Sequence, residues 1–368
     1  MSAEPRMWDL TATDRPNPVL RSGLVALTLF SLGHFFVDIY SSALGAFQPV
    51  LVDKLGISLT QAGILGGLLA FSASVMQPAY GYLSDRFHTR LFTALAPAVA
   101  GIFIASIGAA PSFQWLIPLV VLGGAGIASF HPQASARATA GITANRGRWM
   151  AIFISSGTLG YAFGPTMFSA LFAHLGAHRS YWGALPGLLM TVLLLICLPE
   201  TPTLPERKQY KFNWDPIRAV WKPLTILYFL VFLRSTVQIV YAQFLPLYLH
   251  RERGYSIEHA SWALSLYLIS GALGGFIGGH LADRFGGRKV ILISMSSCVP
   301  FLVLFFLSHG AVAMIGLAFA GLTLLFTIPV NVVMAQDLAP SQAGTVSALM
   351  MVSPGAWRGY FSFRSLAG

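Results

Sequence analysis

Charge is scarce in this sequence. Only 10% of its 368 residues are Asp, Glu, Lys or Arg while 55% are hydrophobic, with a mean hydropathy of +0.67. A chain of that length with so few charged side chains cannot coat a water-soluble globule. Cysteine is nearly absent as well. Cys197 and Cys298 both lie in apolar runs without neighbouring ligands, so they read as small core residues, and neither a disulfide framework nor a metal site is expected. No nucleophile elbow, phosphate loop or HExxH occurs, which argues against an enzyme, against a bound cofactor and against ATP hydrolysis as the energy source. The net charge of +10 comes from basic residues scattered singly through short loops, which argues against nucleic acid as a partner. The first 22 residues carry Glu4, Arg6, Asp9, Asp14, Arg15 and Arg21 and no short apolar core, so no secretory signal is expected in them.

Glycine (36) and proline (21) are plentiful, as in membrane-spanning helices, where small residues let backbones approach and neighbours re-satisfy broken ladders. About 20 apolar residues in a helix cross the hydrocarbon. Complete runs of about that length cover 24–51, 59–82, 91–110, 113–130, 149–172, 181–198, 224–249, 261–278, 290–307 and 311–334, and an eleventh begins near Val346 and fails. The one long polar interruption is a linker at 199–222. It separates a first bundle, 23–198, from a second, 223–351, and a segment of residues 1–22 precedes them.

With the amino terminus in the cytoplasm, sixteen Lys/Arg fall on the cytoplasmic side, from Arg6 to Lys289, and four on the other: Lys54, Arg179, Arg251 and Arg253. That bias sets the orientation by the positive-inside rule. One stretch occurs twice on the cytoplasmic side: Gly81 to Arg90 reads GYLSDRFHTR, and 198 positions later Gly279 to Lys289 reads GHLADRFGGRK. Each follows the second run of its half, so the halves are parallel repeats related by an axis along the membrane normal. An aspartate near a helix end beside arginines can latch the cytoplasmic ends together and release them. The gating set is therefore Gly81, Asp85, Arg86, Arg90, Gly279, Asp283, Arg284, Gly286 and Arg288, with topogenic charge alone as the rival reading.

These residues resemble the major facilitator superfamily, whose signature between helices two and three is Gly-x-Leu-x-Asp-Arg-x-Gly-Arg-Arg/Lys. The second copy matches it, and the first departs at His88 and Thr89. Gly160, Gly164 and Pro165 are similar to the glycine-proline motif of that superfamily's antiporters and otherwise make a small-residue packing face. The stretches 34–42, 59–63, 77–86, 129–135, 244–249 and 333–336 resemble the fosmidomycin resistance branch, over residues 24–351. The resemblance implies a monomeric, twelve-helix exporter of small drugs or metabolites in a bacterial inner membrane, driven by proton influx and needing no other energy source. It also implies that helices one and seven face a central cavity. The expected fold class is an all-α membrane protein with the major facilitator fold of two parallel six-helix pseudo-repeats, here cut to ten complete spans and a broken eleventh.

Two charges lie in mid-span, Asp38 in the first run and Arg234 in the seventh, where an ionisable group is costly unless it serves a cavity or a partner. The repeat offset places Arg234 level with Phe36, so Asp38 and Arg234 are expected to oppose each other. His34 lies one turn before Asp38, and Gln238 one turn after Arg234. Asp38 and His34 are assigned to proton coupling, with Arg234 competing for Asp38 against an anionic substrate group; the rival is a permanent buried ion pair. Substrate contacts are assigned to Arg234, Gln238, Tyr241, Gln77, His131, Gln133 and Asn331. His131 and Gln133 end the fourth run beside Pro132, where a histidine is as often a satisfied helix terminus as a proton relay, and the amides suit interhelical glue. From Val352 the apolar character collapses, with Pro354, Arg358 and Arg364 where a span should continue. A one-base deletion after Met351 is the favoured explanation of 352–368. A non-transporting fragment, and an importer of small organic anions, remain the alternatives.

Overall fold

The computed structural model describes residues 18–87, 89–139, 142, 146–198, 215–340, 346 and 350. Most of the expected amino-terminal segment, the linker as far as residue 214, nearly all of the eleventh run and the whole 352–368 tail lie outside these. Every regular element among the described residues is helical. The first half comprises α1 (Pro18–Leu55), α2 (Leu59–Ala70), α3 (Gln77–Phe87), α4 (Leu91–Ala105), α5 (Phe113–Arg137), α6 (Arg146–Leu175) and α7 (Leu185–Cys197). After a short α8 (Asp215–Ala219), the second half comprises α9 (Trp221–Arg253), α10 (Ile257–Phe285), α11 (Gly287–Leu307), α12 (Gly310–Leu324) and α13 (Thr327–Leu338).

Nine helical stretches among the described residues are long and apolar enough to cross a membrane. The expected fifth run forms α6, whose 30 residues reach across, but Ser155, Ser156, Gly157, Thr158 and Gly160 dilute its apolar character. Those small residues are there for packing. A methyl group at Gly157 would run into the His34 ring, one at Gly160 into the Phe35 carbonyl, and one at Gly164 into the Ile39 carbonyl, so α6 lies backbone to backbone against α1. On its other side, Thr166 and Ser265 share a hydrogen bond between α6 and α10. The buried side chains form one apolar core in the first half, around Tyr40, Phe47 and Phe168, and two smaller ones in the second. The Tyr40 hydroxyl donates to the Gly183 carbonyl and accepts from the Gly187 N–H, each at 2.9 Å, which pins α1 to the start of α7. The outer surface is the reverse of a soluble protein's: Leu307 and Ile196 are 79% and 76% exposed, as lipid-facing residues are.

Two departures from the apolar pattern matter for the site. The second span is one continuous stretch, Leu59–Leu83, but its centre is a π-helical turn, Phe71–Val75. Such wide turns gather at functional positions. Apolarity predicts that the fourth run stops at Phe130, yet α5 continues through Pro132 to Arg137. His131 and Gln133 therefore lie inside a helix and are not its end; apolarity stops there because that face meets polar neighbours.

Candidate functional site

A cavity of about 240 Å³ lies between the halves, with Asp38 and Ser41 of α1, Gln77, His131, Tyr161 and, from α9, Gln243 on its wall. Asp38 is its charged member. One turn below, His34 brings Nε2 to 3.3 Å from Asp38 Oδ2, as their i,i+4 spacing requires. His131 reaches across from α5 with Nε2 3.5 Å from Oδ1, and the Ser41 hydroxyl donates to Oδ1 at 3.1 Å. His34 is held by more than Asp38. Its Nδ1 lies 2.8 Å from the Phe153 carbonyl oxygen, and its ring stacks on Phe153 at 4.4 Å between centroids. Because a carbonyl only accepts, Nδ1 carries the hydrogen and Nε2 is left to face the carboxylate. Donor atoms of His34, Asp38 and His131 all lie within 4.8 Å of one another, close enough to share one cation, a proton or a metal ion. No sequence pattern hints at such a trio, since His131 is remote from the other two.

Arg234 is not part of this group. It is 8% exposed, donates from Nη1 to Gln238 Oε1 and from Nη2 to the Ser235 hydroxyl, each at 2.9 Å, and has no carboxylate within 4.0 Å among the described residues. The expected opposition of Asp38 and Arg234 is thus replaced by two separate clusters. The reason is angular. The repeat counterpart of Asp38 is position 236, an exposed threonine, and two helical residues turn the direction by about 200°. The offset matched the heights of the two charges and not their bearings.

The remaining assigned residues divide. Gln77 is on the cavity wall and donates to the Ala73 carbonyl of the π-turn at 2.9 Å. Gln133 engages the Thr93 hydroxyl and the Thr89 carbonyl through its amide, so it ties α5 to the start of α4. Tyr241 and Asn331 are buried, with the Tyr241 hydroxyl and both Asn331 amide atoms lacking a hydrogen-bond partner among the described residues. Tyr161 and Tyr267 are additions that sequence reasoning missed. Aromatics inside apolar runs give no signal, yet Tyr161 lies within electrostatic range of Asp38, and Tyr267 within range of both Tyr161 and Arg234.

In the repeated motif the copies are placed alike: a methyl group at Gly81 would touch Pro132 at 3.3 Å, and one at Gly279 would touch Pro329 at 3.6 Å. Gly286 has φ of 86°, a value that favours glycine, and joins α10 to α11. Asp283, Arg284 and Arg288 are exposed, and Asp283 makes no ion pair among the described residues. Arg90 caps the start of α4 without a side-chain bond. The side chains of Asp85 and Arg86, and His88 entirely, lie outside the described residues. At the opposite end the halves do touch: a methyl group at Gly45 would run into the Ala242 carbonyl, and two turns on Asp53 pairs with His250 at 2.9 Å and Arg251 at 3.5 Å.

A polar cavity enclosed by two helical bundles carrying the same turn in the same place is the architecture of one large group of proteins, and the family model of the Major Facilitator Superfamily matches residues 30–360. The chain belongs to the major facilitator superfamily. Among relatives within it, the MFS-type transporter YfnC of Bacillus subtilis is 30% identical over 331 residues, 88% of this chain and 81% of YfnC. The fosmidomycin resistance protein of Escherichia coli is 25% identical over 358 residues, 92% of this chain and 87% of that protein. Among solved structures, a point mutant of the nucleoside transporter NupG superposes with a TM-score of 0.73 at 15% identity, over 89% of this chain and 87% of NupG. This member is therefore a multi-pass membrane transporter with the major facilitator fold.

Proposed function

We propose that this transporter exports small organic molecules across a bacterial inner membrane in exchange for protons, with its amino terminus cytoplasmic and Asp38 as the proton-carrying group. The observation that carries the reading is the identity of Asp38's partners. A carboxylate held by arginine inside a membrane is a fixed ion pair, whereas histidine exchanges protons near neutral pH. The His34 contact calls for a proton. With Nδ1 committed to the Phe153 carbonyl, a neutral His34 would turn a lone pair onto Asp38 Oδ2 at 3.3 Å. Such a contact needs a cation between the two atoms, and a proton held there is the one that Asp38 would carry. The cavity beside Asp38 is where arriving substrate favours release of that proton. A relative named for fosmidomycin resistance supports export, and the basic bias of one set of loops supports the orientation.

The test is protection of a fosmidomycin-sensitive host. Expression of this chain raises the inhibitory concentration, and Asp38→Asn at equal membrane abundance returns it to that of the empty host. Undiminished protection by Asp38→Asn rejects the assignment. Protection that disappears on chelating divalent metals and returns with them would mean that the trio holds a metal ion instead.

A further inference from the structure

We infer that Arg234 anchors a buried anion-binding subsite in the second half, completed by Tyr267 and Tyr241, and that the transported molecule carries a carboxylate, phosphate or similar anionic group. The inference rests on the reading of this chain as a cavity transporter, but not on proton coupling.

Arginine is permanently charged, and its burial in a membrane bundle calls for a counter-charge. Arg234 has none among the described residues. Its two partners, Gln238 and Ser235, are neutral and sit on its own helix, so they aim the guanidinium without balancing it. The other mid-span charge, Asp38, is engaged by His34 and His131. Arg234 Nε and the hydroxyls of Tyr241 and Tyr267 have no hydrogen-bond partner among the described residues, and each of them can donate. Tyr241 and Tyr267 stack at 5.0 Å between centroids and 25° between planes, and Tyr267 is within electrostatic range of Arg234. Buried polar atoms rarely go unpartnered, and several donors gathered near one uncompensated cation describe the complement of an anion.

The fold does not ask for these groups. At the repeat offset of 198, positions 234, 241 and 267 correspond to Phe36, Ala43 and Leu69 in the first half, all apolar. The two halves have thus specialised: titratable groups on α1 and α5, anion donors on α9 and α10. Tyr161, on the cavity wall and within electrostatic range of both Asp38 and Tyr267, lies between them.

The experiment is a melting-temperature titration of the purified full chain in nanodiscs of pure phosphatidylcholine, with inorganic phosphate, acetate and neutral glucose as probes. Phosphate or acetate should raise the melting temperature and glucose should not. Arg234→Gln should abolish the response, and Tyr267→Phe and Arg234→Lys should weaken apparent affinity about tenfold, the worth of one charge-assisted hydrogen bond. The response should survive in Asp38→Asn, which separates this inference from the proton reading. An anion response unchanged in Arg234→Lys and Tyr267→Phe, or none in the wild-type chain, overturns the inference. So does an Arg234-dependent rise produced by phosphatidylglycerol in the disc and by no soluble anion, which would make the guest a lipid headgroup.

Discussion

His131 lies on α5, 93 positions beyond Asp38, and yet its Nε2 stands 3.5 Å from Asp38 Oδ1, while His34 faces Oδ2. The acid meets two imidazoles from two helices, whose rings stand edge to face with centroids 5.1 Å apart. Each imidazole is fixed differently: His34 by the Phe153 carbonyl and by the absence of a side chain at Gly157, His131 by its place inside a helix that runs on past proline.

Removing one imidazole should impair coupling without emptying the site. Taking a polar neighbour from a buried carboxylate costs about 1–3 kcal/mol, so His131→Ala is expected to lower proton-driven flux roughly tenfold. Flux in reconstituted vesicles is the measurement, and wild-type rates in His131→Ala would remove this histidine from the account.

The α1–α6 contact makes a sharper structural prediction. A methyl group at Gly160 meets the Phe35 backbone carbonyl, which cannot swing aside, whereas one at Gly67 meets nothing within 4 Å. Gly160→Ala should cost about 1–3 kcal/mol and lower the melting temperature by several degrees. Gly67→Ala should leave it unchanged or raise it slightly, because alanine is the better helix former. Equal effects of the two substitutions would mean that α6 does not sit on α1 in this way.

At the end of the bundle remote from the repeated motif, Asp53 joins the halves through His250 and Arg251, and His250 Nδ1 is anchored at 2.7 Å to the Tyr255 carbonyl. Asp53 is 48% exposed, and ion pairs so open to solvent are worth about 0–1 kcal/mol. Asp53→Asn should therefore shift the balance toward opening at this end by at most about fivefold. Spin labels on the ends of α1 and α9 read the shift as added population at long distance. An identical distance distribution in Asp53→Asn and His250→Ala would show that the Gly45–Ala242 backbone contact closes this end alone.

How much of this was legible in the sequence depends on the range of each signal. Local periodicity was enough for the spans and for His34 beside Asp38, which are one turn apart. The repeat was enough for the matched placement of Gly81 and Gly279, each against a proline. It misled for Arg234, because an offset in chain position gives a level in the membrane and not a bearing around the helix. His131 was visible only as a polar residue where an apolar run stops; its partner is set by how α5 crosses α1, which no local pattern encodes. Tyr161 and Tyr267 were silent as aromatics among aromatics. The π-turn at Phe71–Val75 left no mark in composition. Asp53 and His250 carry no signal beyond their places near span ends, and their meeting across the halves belongs to tertiary structure.

The most direct test of the central claim, that Asp38 couples transport to a proton, is fosmidomycin accumulation in vesicles holding the purified chain, with the interior acid relative to the bath. Proton efflux should drive accumulation in the wild type. Asp38→Asn should abolish it while leaving exchange of labelled for unlabelled drug at equal pH. Accumulation in Asp38→Asn at the wild-type level would contradict the account.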